Sequence, residues 1–222
     1  MIDNIKEKNL EESMKAMEIM EGRNKIISHN NLCIIETITF YELILLNDII
    51  KPFLFNENYN KFPQIAELFS ERLSFMDKYQ IVCRIAKEYK VDNFKKFDDY
   101  IRMRNKIAHN LSSVVSLDNI TKESEINFAG EIITWTEYKI ILQKWADLSL
   151  EMANFIMRIF DKISKNKNHA IFVYCKVIGN CILVQHNLIY PEVAGEYTSF
   201  FKSGFNMDLL KYANQEQKIF KE

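Results

Sequence analysis

Glycine and proline are scarce, five and three in 222 residues. A strand-rich fold with many tight turns needs more of both, so long helices are expected. An excess of one charge is also missing. Twenty-nine Lys and Arg oppose 30 Asp and Glu, a formal net charge of −1. That balance excludes bulk electrostatic attraction to nucleic acid, though not a local basic patch. The four cysteines, Cys33, Cys83, Cys175 and Cys181, form no Cys-x-x-Cys pair, and no secretory signal precedes them. They are expected to be buried free thiols in a reducing compartment. Cys175 and Cys181 could face each other across a hairpin, but their spacing fits no zinc pattern. No uncharged apolar run is long enough for a membrane span. Residues 31–50 are the most apolar early stretch, yet they hold Glu36, Glu42 and Asp48, too many charges for a bilayer helix. The chain is expected to be cytoplasmic, with no membrane partner.

What is present is apolar surface: 48% of residues are hydrophobic and 13% aromatic. A chain of this length and composition can bury a real core. Residues 2–27 read as an amphipathic helix with an acidic start, six acids against three lysines in the first 22 residues. Asn30 or Asn31 can cap a second helix with the stripe Ile34, Ile38, Tyr41, Leu45 and Ile49. Pro52 and residues 55–62 break that pattern, and Pro63 suits the first turn of a short third helix. Ser74, three residues before Asp77, resembles a capping box. Phe75, Tyr79, Val82, Ala86 and Tyr89 follow at helical spacing. Asp92 or Asn93 can cap the next helix, whose stripe is Phe94, Phe97 and Ile101.

Residues 111–128 read as a loop with some extended character, with a short hairpin possible around Ala129-Gly130. Thr134-x-x-Glu137 is a capping box. The long helix after it carries Tyr138, Ile141, Trp145, Leu148, Met152, Phe155 and Ile159 in three-four alternation. Two β-branched runs flank Gly179-Asn180, a dipeptide that fits a type II′ hairpin turn; an interrupted buried helix is the alternative. A last helix is expected over 207–220. The sequence thus predicts a mainly α protein: N-terminal helices over 1–62, a helical bundle core over 63–163 and a mixed α/β appendage with a small hairpin over 164–222, forming one compact unit.

The candidate chemistry lies at the end of the helix before residue 110. Phe94, Phe97, Ile101, Arg104 and Ala108 make one stripe, so Arg104 stands where an apolar residue is expected. Burying an unpaired guanidinium is costly, so it requires a partner or a wet cleft. Asn105 and His109 share a face, four residues apart. Arg104 and His109 are about 140° apart around the helix, a gap that a long arginine can partly close. Such a set suits RNA cleavage by the RNA's own 2′-hydroxyl. Histidine titrates near neutrality and can take the hydroxyl proton. Arginine can hold phosphate oxygens through its planar fork as charge builds. Asn105 can orient a neighbouring side chain. No metal or other cofactor is required, and no ligand cluster is evident.

At Arg104-Asn105-x-x-x-His109 the chain resembles the HEPN superfamily, whose signature is Arg, four to six residues, then His, often with a polar residue after the Arg. Residues 73–78, Leu-Ser-Phe-Met-Asp-Lys, also look like the start of the preceding helix in bacterial members. The resemblance covers roughly residues 63–163. It implies a HEPN-like helical bundle, a homodimer whose two motifs share one cleft, and metal-independent endoribonuclease activity on RNA. It also implies a toxin–antitoxin or anti-phage defence setting, with an antitoxin or another defence component as partner. Members paired with a nucleotidyltransferase antitoxin carry Tyr two residues after the His. Leu111 stands there in this chain, so control by AMP transfer at that position is not expected. The other reading of the same residues is a non-catalytic HEPN-like module that binds RNA or protein.

Two further features bear on function. Residues 23–30 echo 104–110 with one extra residue, but the flanks do not match, and Arg23 and His29 are expected to be ordinary surface or helix-end residues. Residues 84–109 carry eight Lys or Arg against four acids, and 158–167 carry four against Asp161. If the two surfaces meet, they would form a cationic strip for phosphates. His169 is expected on a solvated loop, and His186 is expected to be structural.

Overall fold

No proline and a single glycine, Gly22, stand between residues 2 and 44. The computed structural model carries that stretch as one helix, α1 (Ile2–Ile44). The structure describes residues 2–55, 72–108, 125–128, 130–163 and 170–189. The expected break at Asn30 or Asn31 does not occur. Ile26, Ile27, Ile34, Ile38 and Tyr41 bury a continuous face across it, and both asparagines are themselves buried. The Asn30 amide is engaged by distant partners. It donates to Tyr138 Oη at 3.2 Å and to the Asn180 carbonyl at 2.8 Å, and its Oδ1 accepts from Ile182 N at 2.8 Å.

Pro52 does not end the helical run either. A π-helical turn over Leu45–Ile50 leads into α2 (Lys51–Phe55), and the Lys51 N–H donates to the Leu46 carbonyl five residues back. A proline ring collides with the carbonyl four residues earlier and removes one donor. Widening the preceding turn relieves that collision, which is a common origin of π-bulges. The short helix expected from Pro63 falls outside the described residues over 63–71.

Ser74 begins α3 (Phe75–Glu88) with a complete capping box. Asp77 N donates to Ser74 Oγ at 3.2 Å, and Ser74 N donates to the Asp77 carboxylate at 3.1 Å. These hydrogen bonds to Ser74 hold the Asp77 carboxyl below its ordinary range. Lys78 on the same turn is buried and paired with Glu42 of α1. The helix ends in a Schellman motif: Val91 N donates to the Ala86 carbonyl and Lys90 N to the Lys87 carbonyl. Lys90 occupies the left-handed position of that motif, at φ 57°, where glycine is the usual residue. A side chain there is strained by its own Cβ. Lys90→Gly is therefore expected to stabilise the protein by about 1 kcal/mol. The measurement is the urea midpoint, which should rise with an unchanged m-value; an unchanged or lower midpoint refutes the assignment.

The next helix, α4 (Phe97–Ala108), starts later than Asp92 or Asn93 would cap it. The Phe94 carbonyl explains the delay, because it accepts both the Tyr79 hydroxyl at 2.8 Å and Phe97 N in a turn. The late start changes the buried face. Phe97, Tyr100 and Ile107 point into the core, while Ile101 is only half-buried.

Strands β1 (Glu125–Phe128) and β2 (Glu131–Thr134) form the short hairpin expected around Gly130, which has φ +76°. Thr134 then caps α5 (Trp135–Ile163). Its backbone N donates to Glu137 at 2.7 Å, and Glu137 N donates to its Oγ1 at 3.2 Å. The anticipated α5 stripe is buried except at Ile141, and Leu142, Ser149 and Ile156 widen it. The width follows from cover on two sides: α4 packs on α5, and so does β3 (Ala170–Ile178), whose partner β4 (Cys181–Ile189) lies along α1. The β3–β4 connection is the anticipated two-residue turn. Gly179 has φ +59° and Asn180 a negative φ, which is the type II′ pattern.

Cys175 pairs with Val184 and Cys181 with Ile178. The two thiols are therefore three ladder positions apart and on opposite faces, so the facing arrangement that a hairpin could have given does not occur. All four cysteines are free. The fold is mainly helical with a small antiparallel hairpin in its C-terminal part, and one apolar core joins α1, α3, α4, α5 and both hairpins. Among the described residues no helix is long and apolar enough to cross a membrane. The helix expected over 207–220 and His169 lie outside the described residues.

Candidate functional site: the Arg104 edge of helix α4

Arg104 sits on the buried face of α4, between Tyr100 one turn before it and Ile107 one turn after. This 97, 100, 104, 107 spacing gives it an apolar-stripe position, as the sequence implied, although the stripe runs through Tyr100 and not Ile101. The side chain is half-buried. Its Nη1 donates to Asn105 Oδ1 at 2.9 Å, so Asn105 steadies the guanidinium itself. The Arg104 Nε is buried and makes no hydrogen bond. The structure therefore brings Arg104 and Asn105 together. His109, the residue after the last described position of α4, lies outside the described residues, as do Asn110 and Leu111.

The wall behind Arg104 is neutral and densely packed. Tyr100 is fully buried, with its ring against Phe75, Phe94 and Tyr41. Burial holds its hydroxyl far above the ordinary tyrosine range, while the Ser149 hydroxyl and the positive Arg104 pull it the other way. Tyr41 donates to the Ser149 carbonyl at 2.6 Å. The nearby Cys175 thiol is pushed up to about 12 by burial, with the Asp147 charge adding to the rise. It is thus a neutral packing group at physiological pH, not a nucleophile. The sequence reading missed Tyr100, one turn before Arg104, and Ser149, whose hydroxyl lies near that of Tyr100. Ser149 left one signal, a hydroxyl on an otherwise apolar helix face.

Several basic residues near this edge are already engaged. Lys106 pairs with Glu131 of β2 and lies 5.7 Å from the centroid of the Phe128 ring. Lys96 pairs with Glu151 on α5, and Arg102 stands 4.0 Å from Asp99. Arg84, Lys87, Lys90 and Lys95 are exposed, as are Arg158 and Lys162 on α5. Of the basic residues that could have formed a cationic strip, some are thus paired with carboxylates and the others stand on exposed helix faces.

Neither Arg23 nor His29 is a helix-end residue, and Arg23 is not on the surface, whereas His29 is half-buried. Both lie inside α1. Arg23 is buried, with its guanidinium 5.2 Å from the centroid of the Trp135 ring. The His29 Nε2 lies 3.1 Å from the Ile182 carbonyl and 3.4 Å from Cys33 Sγ. Arg23 thus packs on an aromatic ring and His29 on the β3–β4 hairpin, a setting different from that of Arg104. His186 falls on β4. Among the described residues, no three His, Cys, Asp or Glu side chains group so as to hold a metal ion. No protein-family model, no curated protein and no solved structure matches the chain.

Proposed function

We propose that the protein is a HEPN-type endoribonuclease that cuts RNA without a metal ion, with Arg104 as phosphate clamp, Asn105 as its orienting residue and His109 as proton acceptor. The observation that carries this reading is the half-buried Arg104 guanidinium, fixed by Asn105 on the core stripe of α4. A structural role alone would favour an apolar residue there, since a charge at a stripe position costs several kcal/mol unless it is used or compensated. A planar fork beside a low-dielectric wall binds a phosphate more strongly than the same fork in water. Attack by the internal 2′-hydroxyl then needs a base near neutral pH, the role assigned to His109. The setting proposed is a toxin–antitoxin or anti-phage defence system. The working unit proposed is a homodimer, in which two copies of the motif can divide the base and acid roles between them. The apolar stripe of α5 is taken up by the protomer's own core, so pairing must use other surfaces.

The test is incubation of purified protein with RNA in excess EDTA, followed by mass analysis of the product ends. Cleavage leaving 2′,3′-cyclic phosphate is expected, and it should disappear in folded His109→Ala. RNA binding without cleavage would favour the non-catalytic module instead. Activity lost on chelation and restored by magnesium would replace the mechanism.

A further inference from the structure

Three polar groups behind the proposed phosphate clamp fall short of full hydrogen-bond geometry, Arg104 Nε, Tyr100 Oη and Ser149 Oγ, although the Ser149 hydroxyl and Arg104 both lie near enough to draw the Tyr100 hydroxyl down. Tyr100 and Ser149 are both completely buried. They belong together in space. Tyr100 and Arg104 are four residues apart on one face of α4, which packs on α5 where Ser149 stands. Tyr41 joins the two sides, with its hydroxyl on the Ser149 carbonyl and its ring 6.3 Å from that of Tyr100. Buried polar groups in native proteins are almost always satisfied, and three such groups in one place ask for a common explanation. Their chemistry supplies one. Arg104 Nε–H can only donate, whereas each hydroxyl can accept one bond and donate another. Nε–H to one hydroxyl, and that hydroxyl to the other, satisfies the set, directly or across one bridging water. The last hydroxyl can then donate to a helix carbonyl one turn back, a common habit of serine inside helices.

We propose that Tyr100 and Ser149 are positioning residues for Arg104, holding the Nε edge of its guanidinium from the buried side while Asn105 holds Nη1 from the other. The fork is thereby fixed in one plane before any phosphate arrives, and the remaining N–H groups are left for the ligand. Such preorganisation favours the transition state, because no reorientation of the cation is needed as charge develops. Its functional part rests on the ribonuclease reading; its structural part does not.

The test reads the Arg104 Nε–H directly by 15N NMR, with the resonance assigned by its loss in Arg104→Lys. Slow solvent exchange is expected in the wild-type protein. Tyr100→Phe and Ser149→Ala each remove a hydroxyl while keeping most of the side-chain volume, and each should speed exchange by about tenfold or more, the scale of one hydrogen bond to a charged group. Tyr79→Phe removes another hydroxyl from the same aromatic cluster, but one bound to the Phe94 carbonyl, and should leave Arg104 unchanged. Wild-type exchange in both Tyr100→Phe and Ser149→Ala, or equal acceleration in Tyr79→Phe, overturns the proposal. If Tyr100→Phe does not fold, Ser149→Ala decides alone. In an RNA-cleavage assay the two variants should lower kcat by about tenfold with KM changed less than about twofold. A wild-type protein that cuts no RNA would sink the ribonuclease reading and leave the exchange result to judge the positioning by itself.

Discussion

Asn30→Ala is expected to lower the free energy of unfolding by about 3 kcal/mol, more than a typical point substitution. Asn30 is completely buried, and its amide makes three hydrogen bonds to partners 108 or more residues away. Truncation leaves Ile182 N–H and Tyr138 Oη without those bonds in fully buried surroundings, and the Asn180 carbonyl without its bond in half-buried surroundings. A buried group deprived of its partner costs about 1–3 kcal/mol. The sum is kept near the lower end because the Asn180 turn is closer to water. The loss should be local before it is global. Asn30 joins α1 and α5 to the β3–β4 turn, so hydrogen exchange should rise first in the hairpin amides. Asn30→Asp should fare little better, because it keeps one acceptor and loses both donated bonds. Urea unfolding provides the measurement. A loss under about 1 kcal/mol would mean that the three bonds do not hold the hairpin in place.

Asn30 also marks where sequence reading stops. Ser74 with Asp77, Thr134 with Glu137, and Gly179-Asn180 are legible because each is completed within a few residues of chain. A capping box or a hairpin turn carries its whole instruction locally. Asn30 has the same local look as a cap, but its use is set by Tyr138, Asn180 and Ile182, which no short window contains. Pro52 misleads in a related way. The collision it causes is local, but the answer, a widened turn rather than a break, depends on burial of Leu45, Leu46, Ile49 and Ile50. The buried cation at residue 23 could not be anticipated without knowing that Trp135 lies beneath it.

The candidate site divides along the same line. Periodicity alone placed Arg104 on an apolar stripe, and the side-chain spacing on α4 bears that out. The stripe's true members shifted by one position, because Tyr79 occupies the Phe94 carbonyl and delays the helix start. Tyr100 thereby moved from the margin to the core, and with it the hydroxyl that lies behind the guanidinium. Ser149 belongs to another helix. Its relation to Arg104 is a product of packing between α4 and α5, so it had no signature near residue 104.

Arg104→Ala is expected to reduce RNA cleavage by about 1000-fold while leaving the fold intact. The size follows from removing a preorganised charged donor aimed at a developing oxyanion, an interaction worth about 3–4 kcal/mol in comparable sites. The fold should survive because Arg104 contributes little net stability. Its side chain is only half-buried, and its hydrogen bond to Asn105 joins it to a sequence neighbour and not to another element. Removing a half-exposed cation with its few hydrogen bonds costs about 1 kcal/mol. Arg104→Lys separates charge from geometry. An ammonium keeps the positive charge but cannot bond Asn105 and grip a phosphate through the same plane, so about a 30-fold loss is expected, between wild type and alanine. If lysine restored full activity, the clamp would be a simple point charge and Asn105 would have no orienting role. If alanine kept full activity in a folded protein, Arg104 would not be part of the reaction. Mixing inactive Arg104→Ala with inactive His109→Ala then tests the paired site. Heterodimers that regain cleavage would place the arginine and the histidine of one reaction on different protomers. No recovery, with mixed dimers shown to form by mass, would confine each reaction to one chain.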